Sequence, residues 1–404
     1  LSSALALQER GRDVVLLEKN GVGAGCSTGN AGLVVPSHVT PLAAPGAIKQ
    51  GLRWMMRRDS PFRIKPRLDL DLLWWLWAFR SACTEGHVRR SASVLRDLHL
   101  ASRAQMSRWA SDGEEDFGFQ PAGLLMLHET EKGRTKDLEA AQTAREVGLE
   151  AQVMDARELE DISPALPQGL RGGVYYPQDA VISPAQLVAW LRNRLEKGGA
   201  TVREGAEVTG FDVHAGRIQQ VRTPGGAFRP TEVVLAAGSW SRRLAAELGL
   251  YLPVEPAKGY SFTYDIPGAV PDVPFLLTEK KISVTPLGSK MRFAGTLELA
   301  GHDRSVDPQR VQPILEAAAR YVPAVDARQP EREEAWVGFR PCTPDGLPVI
   351  DRGSDLDNLT LATGHGMMGM SLSAVTGQIV AQLIEEERPA VDPEPIRRAR
   401  FDWT

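Results

Sequence analysis

The stretch that decides the fold is residues 338–350, GFRPCTPDGLPVI, followed by residues 358–369, NLTLATGHGMMG. The first part places Arg340 in a turn that proline and glycine make rigid. The second is a short apolar strand that runs into a Gly-x-Gly-x-x-Gly turn, and we expect a helix to begin near Gly369. Glycines permit positive φ angles and let backbone N–H groups approach an electron-rich ligand, toward which the helix dipole would point its positive end. The pattern predicts a ligand-binding turn beside an arginine that could hold a carboxylate.

Length, charge and cysteine content limit the classes of partner. A chain of 404 residues is long for one core, so we expect two domains. The 47 basic and 51 acidic residues give no electrostatic case for nucleic acid. The 3 cysteines have no C-x-x-C spacing, so we expect neither a disulfide framework nor a metal site. A small-molecule ligand and a cytoplasmic location are expected.

The first 18 residues have the pattern of half a dinucleotide-binding unit. Residues 1–11 predict a helix that ends at a glycine, and residues 13–18, DVVLLE, predict a buried parallel strand that ends at Glu18. In such units a glycine-rich turn precedes the helix, and an acid after the second strand binds the ribose. That turn is not in this sequence. Either the sequence starts after it, which we favour, or the protein lacks its main pyrophosphate cradle.

Residues 21–36, GVGAGCSTGNAGLVVP, contain too many small residues to pack a core of their own. They predict a loop laid closely against a ligand, with the apolar end docked on the protein. The alternative is a flexible linker.

A basic segment precedes a tryptophan cluster in residues 53–79. Cations beside indoles resemble an interfacial membrane contact. The alternative, which the pattern favours, is an ordinary core helix preceded by basic residues that are exposed to solvent. Between residues 47 and 67 a single acid, Asp59, faces seven cations: Lys49, Arg53, Arg57, Arg58, Arg63, Lys65 and Arg67.

The remaining pattern alternates helices with short strands. Helices are predicted at residues 91–110, 134–147, 184–197 and 308–320. Strands are predicted at residues 123–128, 201–203, 207–213, 217–223, 231–236, 259–264, 282–285 and 291–297.

Together these segments resemble the FAD-dependent D-amino-acid oxidase superfamily, and within it the bacterial D-amino-acid dehydrogenases, over nearly the whole chain. Each motif is weak alone, but their order is specific. The motifs are Glu18, SxxNAGL at 27–33, AAGSWS at 236–241, KGYS at 258–261, GFRPxTPDGxP at 338–348 and GHGxxG at 364–369.

The resemblance implies an α/β protein in which a Rossmann-like FAD-binding domain of the glutathione-reductase type is interleaved with an α+β substrate domain built on an antiparallel sheet. The implied boundaries are 1–80, 160–248 and 336–404 for the FAD-binding domain, and 81–159 and 249–335 for the substrate domain.

The cofactor site carries over residue by residue. Glu18 would bind the adenosine ribose and the backbone of Val208 the adenine. Gly238 and Trp240 would form the turn beside the cofactor. Two loops complete the implied site: Ser27, Asn30, Ala31 and Gly32 at the pyrophosphate and flavin edge, and Gly364, Gly366, Met367, Met368 and Gly369 at the flavin carbonyl oxygens.

The catalytic residues implied are Arg340, Tyr260 and His365. Arg340 would bind the substrate carboxylate, the alternative being an ion pair with Asp345. Relatives place a tyrosine in the strand at 280–285, where this chain has none, so Tyr260 or Ser283 would take that part. His365 would tune the flavin or bond the substrate, or else be structural. Related sarcosine oxidases attach flavin through a cysteine where Gly338 stands here, so FAD is expected to bind non-covalently.

The implied activity is FAD-dependent oxidation of an amino acid, expected to be the D enantiomer, to an imine and then a keto acid. Electrons would pass to a quinone or another carrier, with residues 53–79 as a peripheral contact on the inner face of the membrane. An alternative is an oxygen-using oxidase for glycine, sarcosine or D-proline. A flavin-free protein with a structural role is the non-enzymatic alternative.

Overall fold

The computed structural model describes residues 1–57, 60–112, 116–266, 271–322, 325, 335–353 and 356–402. Helices within these residues alternate with strands along most of the chain. Ten α-helices are described: α1 (Ser2–Gln8), α2 (Ala47–Met55), α3 (Leu70–Ala82), α4 (Glu85–Ser111), α5 (Glu131–Glu146), α6 (Ala156–Ile162), α7 (Pro184–Lys197), α8 (Ser241–Ala246), α9 (Pro308–Tyr321) and α10 (Ser373–Ile384).

Short sheets carry the elements that were expected to hold the cofactor. Two of them are single pairs: β1 (Val15–Leu17) with β8 (Thr201–Arg203), and β2 (Leu33–Val34) with β7 (Ala180–Val181). In the other two a central strand has two partners: β10 (Arg217–Thr223) lies between β9 (Gly210–His214) and β11 (Gly226–Phe228), and β19 (Leu359–Thr363) lies between β12 (Val233–Leu235) and β18 (Val349–Arg352). The β1–β8 and β12–β19 pairs are parallel, as a dinucleotide-binding sheet requires. Helix α1 packs against α10.

A large sheet of nine described strands forms the other part of the molecule. Its order is β17 (Trp336–Cys342), β13 (Glu255–Asp265), β16 (Lys290–Leu299), β15 (Ile282–Leu287), β14 (Phe275–Leu277), β4 (Leu124–His128), β6 (Gly172–Tyr176) and β5 (Gln152–Asp155), with β3 (Phe62–Ile64) beside β16. From β17 to β14 the pairing is antiparallel, as expected for a substrate domain.

One face of the large sheet is buried under α9. Tyr260, Phe262 and Phe293 from the strands share a core with Ile314 and Tyr321 from the helix. Because side chains alternate across a strand, the neighbours of these residues point to the opposite face. That opposite face borders the site described below.

One predicted helix has the bounds that the structure shows, whereas others begin at a different residue. Helix α7 has the predicted bounds, with Pro184 at its first turn. Helix α4 begins at Glu85, before the predicted residue 91, because Thr84 caps it. The helix expected near Gly369 begins only at Ser373.

The domain boundaries remain a prediction. Strands β6 and β17 pair within the large sheet, although the predicted boundaries place both in the cofactor domain. Both strands run directly into loops at the cofactor end, so boundaries drawn along the chain assign these strands to the cofactor domain.

Candidate active site

A cavity of about 2290 Å³ connects the two parts of the molecule. At one end it is lined by residues of β1 and of β12. At the other end it reaches the face of the large sheet opposite α9, including Gly259, Thr296 and Arg340. The cavity therefore brings together segments that lie more than 300 residues apart in sequence.

Arg340 lies on this sheet face in β17. Its side chain crosses the neighbouring strand over Gly259, where a Cβ atom would overlap the guanidinium group. Nη1 donates a hydrogen bond of 2.8 Å to the carbonyl oxygen of Thr296 on β16. Burial lowers the pKa of Arg340 from its ordinary value. A glycine at position 259 thus gives the arginine a fixed path to the cavity.

The alternative of an ion pair between Arg340 and Asp345 is wrong. Asp345 accepts a hydrogen bond of 2.7 Å from Nε of Arg400. Nη2 of Arg400 also donates to the carbonyl of Leu347. No carboxylate among the described residues lies within ion-pair distance of Arg340. A partly buried guanidinium without a carboxylate partner is suited to bind one from a ligand.

Trp336, a residue that the sequence pattern did not single out, packs beside Arg340. Its ring covers Gly29 and Gly338, and a Cβ atom at either glycine would overlap the indole. The space that a side chain at position 338 would take is therefore filled by the ring of Trp336. This packing favours glycine there and supports the expectation of non-covalent binding.

Arg292 holds the small-residue loop at 27–32 against the sheet. Its Nη1 donates to the carbonyls of Thr28 (2.9 Å) and Asn30 (2.6 Å), and Nε donates to Thr263 Oγ1 (3.0 Å). Burial lowers the pKa of Arg292 to about 10. Ser261 Oγ adds a hydrogen bond to the carbonyl of Gly29. The sequence pattern missed this arginine because it lies on a distant strand; its only local signal is a cation amid apolar strand residues.

The loop at 27–32 is a fixed turn, not a linker. The Asn30 side chain accepts a hydrogen bond of 2.9 Å from the amide of Gly32. Gly32 has a φ of 77° and lies so close to the carbonyl of Ile182 that a Cβ atom would overlap it. Ser27, Asn30 and Ala31 line the cavity, whereas Gly32 shapes the turn behind it.

The glycine turn after β19 lines the same cavity with His365, Gly366, Met367, Met368 and Gly369. Gly364 has a φ of 75°, and a Cβ atom there would lie 2.6 Å from Thr343 Cγ2, so it fixes the turn from behind.

His365 is tied into the fold. Its Nε2 lies 2.9 Å from Oγ1 of Thr376, and burial lowers its pKa to about 4. The imidazole is neutral at physiological pH, so the structural alternative accounts for its contacts, and its role toward the flavin stays a prediction.

The residues expected at the adenosine end also meet at the cavity. Glu18 follows β1, and its carboxylate accepts a hydrogen bond of 3.0 Å from the amide of Asn20. Val208 and Gly238 line the cavity beside it. Trp240 also lines the cavity and stacks on His302, with ring centroids 4.6 Å apart.

Tyr260 does not lie on the Arg340 side of the sheet. Its hydroxyl accepts a hydrogen bond of 3.3 Å from the amide of Asp307 and lies in the core under α9. Strand alternation places the Tyr260 ring in this core, although Tyr260 and its neighbour Gly259 both line the cavity. The contacts of its hydroxyl thus give no support to a substrate role, which stays a prediction. Ser283, the other candidate, lines the cavity, with Oγ donating to the carbonyl of Ala294.

The described residues contain no cluster of three or more His, Cys, Asp or Glu side chains arranged to hold a metal ion. None of the described helices combines the length and apolar character needed to cross a membrane.

Residues 1–383 match the family model described as FAD dependent oxidoreductase. The chain belongs to this FAD-dependent oxidoreductase family. It is 33% identical to D-amino acid dehydrogenase 2 of Ralstonia nicotianae, over 99% of this chain and 97% of that protein. It is 32% identical to the D-amino acid dehydrogenase of Methylobacterium nodulans, over 99% and 96%.

Solved structures share the fold. Glycine oxidase from Geobacillus kaustophilus superposes with a TM-score of 0.80 at 25% identity, covering 99% of this chain and 95% of that one. L-proline dehydrogenase from P. horikoshii gives a TM-score of 0.74 at 17% identity, covering 99% and 94%. The chain is thus an FAD-dependent oxidoreductase with the α/β fold expected from its motifs.

The residues present fit FAD. Positive-φ glycines at 32, 238, 364 and 366 shape backbone turns around a cavity large enough for a dinucleotide, and side chains at several of these positions would overlap neighbouring atoms. Glu18 and Val208 would contact the adenosine, and the turn at 364–369 would face the flavin ring.

Proposed function

We propose that this oxidoreductase oxidises the Cα–N bond of a D-amino acid and passes the electrons to a quinone or another carrier. The observation that carries the proposal is Arg340, a partly buried guanidinium without a carboxylate partner among the described residues, at the cavity that the glycine turns line. The relatives named D-amino acid dehydrogenase support the choice of substrate.

The residues of the chain would act by positioning. Arg340 offers a planar, permanently charged fork to the α-carboxylate, and its bond to Thr296 fixes that fork. The ring of Trp336 fills the space between the loop at 27–32 and β17, where it covers Gly29 and Gly338. Bound FAD supplies the hydride acceptor. By holding the substrate Cα–H beside this acceptor, these residues would lower the entropic cost of reaching the transition state.

The test uses enzyme loaded with FAD, a soluble dye and matched enantiomers. Reduction of the dye with D-amino acids and not with L-amino acids would support the proposal. Turnover with L-amino acids alone would contradict it. Acid precipitation should release the flavin into the supernatant, because Gly338 offers no attachment point; flavin in the pellet would refute non-covalent binding.

The electron acceptor is proposed to approach at α2 and α3. Helix α2 has no buried residue, and Leu52 and Met55 are exposed. On α3, Trp75 is buried, whereas Trp74 and Trp77 are 60% and 49% exposed. Ile48, Leu52, Met55, Trp75 and Phe79 also line the cavity. An apolar surface that opens into the cavity suits a quinone dissolved in a membrane.

The charge of this surface is smaller than the sequence pattern suggested. Arg63, Lys65 and Arg67 form ion pairs with Asp307, Asp303 and Glu255, respectively. Lys49 and Arg53 are exposed on α2, whereas Arg58 and Asp59 lie outside the described residues.

Charge reversal at two positions tests the surface. Lys49→Glu with Arg53→Glu should weaken binding to vesicles that contain anionic lipid and should leave dye turnover unchanged. Arg157→Glu with Arg388→Glu, both exposed elsewhere, is the control. Equal vesicle binding by both variants would contradict the proposed membrane contact at α2 and α3 but not the oxidoreductase activity.

A second candidate is an oxidase that uses oxygen directly, favoured by the likeness to glycine oxidase at a TM-score of 0.80. Rapid hydrogen peroxide formation without dye or quinone reduction would decide for it. The flavin-free alternative is disfavoured by the family to which the chain belongs.

A further inference from the structure

Beyond Arg340, the substrate end of the cavity contains a lysine to which no motif gave a role. Lys281 ends the turn between β14 and β15 and lines the cavity with Ser283, Thr296 and Arg340. Ser283 pairs with Ala294 on β16, so Lys281, two residues earlier, lies close to the level of Thr296. Adjacent strands are about 4.8 Å apart. Lys281 is therefore near the residue whose carbonyl fixes the guanidinium of Arg340.

The turn fixes where Lys281 starts. Its amide donates to the carbonyl of Leu277 at 2.8 Å, and its φ of 57° is a left-handed conformation that few lysines adopt. Such a conformation is kept only when the surrounding structure determines it. Lys281 and the neighbouring Lys280 are both exposed, but only Lys281 lines the cavity.

Among the described residues, no hydrogen bond or ion pair is made by the ammonium group of Lys281. The nearby acids have other partners: Asp137 accepts from His128 (2.8 Å) and Thr278 (2.7 Å), and Glu279 accepts from the amide of Thr130 (3.0 Å). Burial lowers the pKa of Lys281 from its ordinary value, and the charge of Lys136 on α5 adds to this effect.

Charged groups near Lys281 act in both directions: Asp137 and Glu279 attract its ammonium group, whereas Lys136, a second cation on the cavity wall, repels it. His38 also lines the cavity; burial and then Lys281 lower its pKa to about 4, so it is neutral. Because Asp137 and Glu279 already accept hydrogen bonds from other groups, the ammonium group of Lys281 remains available to an anion in the cavity.

We propose that Lys281 binds an anionic group on the side chain of the substrate, so that the enzyme prefers dicarboxylic D-amino acids. This inference rests on the proposed function. Arg340 would hold the α-carboxylate and Lys281 the second carboxylate, and a charged hydrogen bond in a cavity of this kind is stronger than one to a neutral amide. The neutral isostere would leave the ammonium unpaired, which is the source of discrimination.

The experiment compares D-glutamate with D-glutamine in the FAD-loaded enzyme with a soluble dye. We expect kcat/KM for D-glutamate to exceed that for D-glutamine by about 10-fold or more. Lys281→Met should lower kcat/KM for D-glutamate by about 10- to 100-fold and change that for D-glutamine by less than about 3-fold. Lys280→Met, from the same turn, is the matched control and should change neither.

A binding measurement separates this inference from the proposed function. Calorimetric titration should give tighter binding of glutarate than of butyrate, and Lys281→Met should abolish the difference. If no amino acid is turned over but glutarate binding depends on Lys281, the proposed function fails and the anion site stands. Equal efficiency with D-glutamate and D-glutamine in the wild type, or an unchanged ratio in Lys281→Met, would overturn the inference.

Discussion

The two ends of the cavity are built in opposite ways. At the cofactor end, backbone turns form the wall: Gly32, Gly364 and Gly366 have positive φ angles, and their neighbours present main-chain groups. At the substrate end, side chains of one sheet and its turns form the wall, with Arg340 reaching across β13 to the carbonyl of Thr296 and Lys281 lining the cavity from the turn before β15. Backbone turns need particular residues in sequence, whereas a sheet face needs only register. The first end suits a cofactor common to a family, and the second can vary with the substrate.

The largest effect is expected at the substrate end, from Arg340→Lys. Lysine cannot reproduce the two parallel N–H groups of the guanidinium. Loss of that contact should lower kcat/KM by an amount that corresponds to about 2–4 kcal/mol of activation free energy. Flavin content should stay at the level of the wild type, because the backbone turns that bind FAD are untouched. Steady-state kinetics and flavin absorbance provide the measurement. Parallel loss of flavin and activity would show that the two ends are not independent.

A smaller effect is expected at the cofactor end from Arg292→Met. Three hydrogen bonds to the loop at 27–32 and to Thr263 disappear, so the dissociation constant for FAD should rise by about 30-fold, which corresponds to about 2 kcal/mol. Reconstitution of the apoprotein with FAD measures this constant. Arg222→Met, which breaks an ion pair with Asp212 on the β9–β10 sheet, is the control. Equal affinities in the two variants would argue against Arg292 as the clamp of the loop.

The boundary between the ends is tested by Gly338→Cys. The new side chain meets the ring of Trp336, and overpacking of this kind should lower the free energy of unfolding by about 1–2 kcal/mol. Denaturant unfolding measures the loss. We expect the flavin to remain extractable by acid, since the thiol would point at the indole. Covalent flavin in this variant would contradict the described packing.

The smallest effect concerns pH. An unfolded histidine titrates near 6.5, whereas burial holds the pKa of His365 at about 4. Below pH 6.5 the unfolded state binds a proton that the folded state excludes, so stability falls as pH drops toward 4. The loss should be on the order of 1 kcal/mol between pH 7 and pH 6. Urea unfolding should show a shallower pH dependence for His365→Gln, whose slope would remain above zero because His38, His99 and His302 are shifted in the same direction. Identical slopes for the wild type and His365→Gln would show that the pH dependence comes from other groups.

The sequence by itself was sufficient for several features that depend on local geometry, although it misplaced the start of α4 and of α10. The glycine turns at 27–32 and 364–369 and the helix at Pro184–Lys197 follow from φ requirements, caps and apolar period, which act between near neighbours. The family could be predicted for the same reason, because its motifs are such turns in a fixed order. Arg340 was predictable because it belongs to one of these motifs, but the expected turn around it is wrong: Arg340 lies in strand β17, paired with Ala257 on β13.

Only the tertiary structure decided which side chains meet. The roles of Arg292, Trp336 and Lys281 depend on strand pairing between distant segments, and Tyr260 faces the core because register, not composition, chooses the face of a strand. The partners of Arg63, Lys65 and Arg67 lie about 190 to 245 positions away in the chain, so a local count of charges overestimated the basic surface. The physical reason is the same in each case: a side chain's contacts are set by long-range pairing, which no short window of sequence contains.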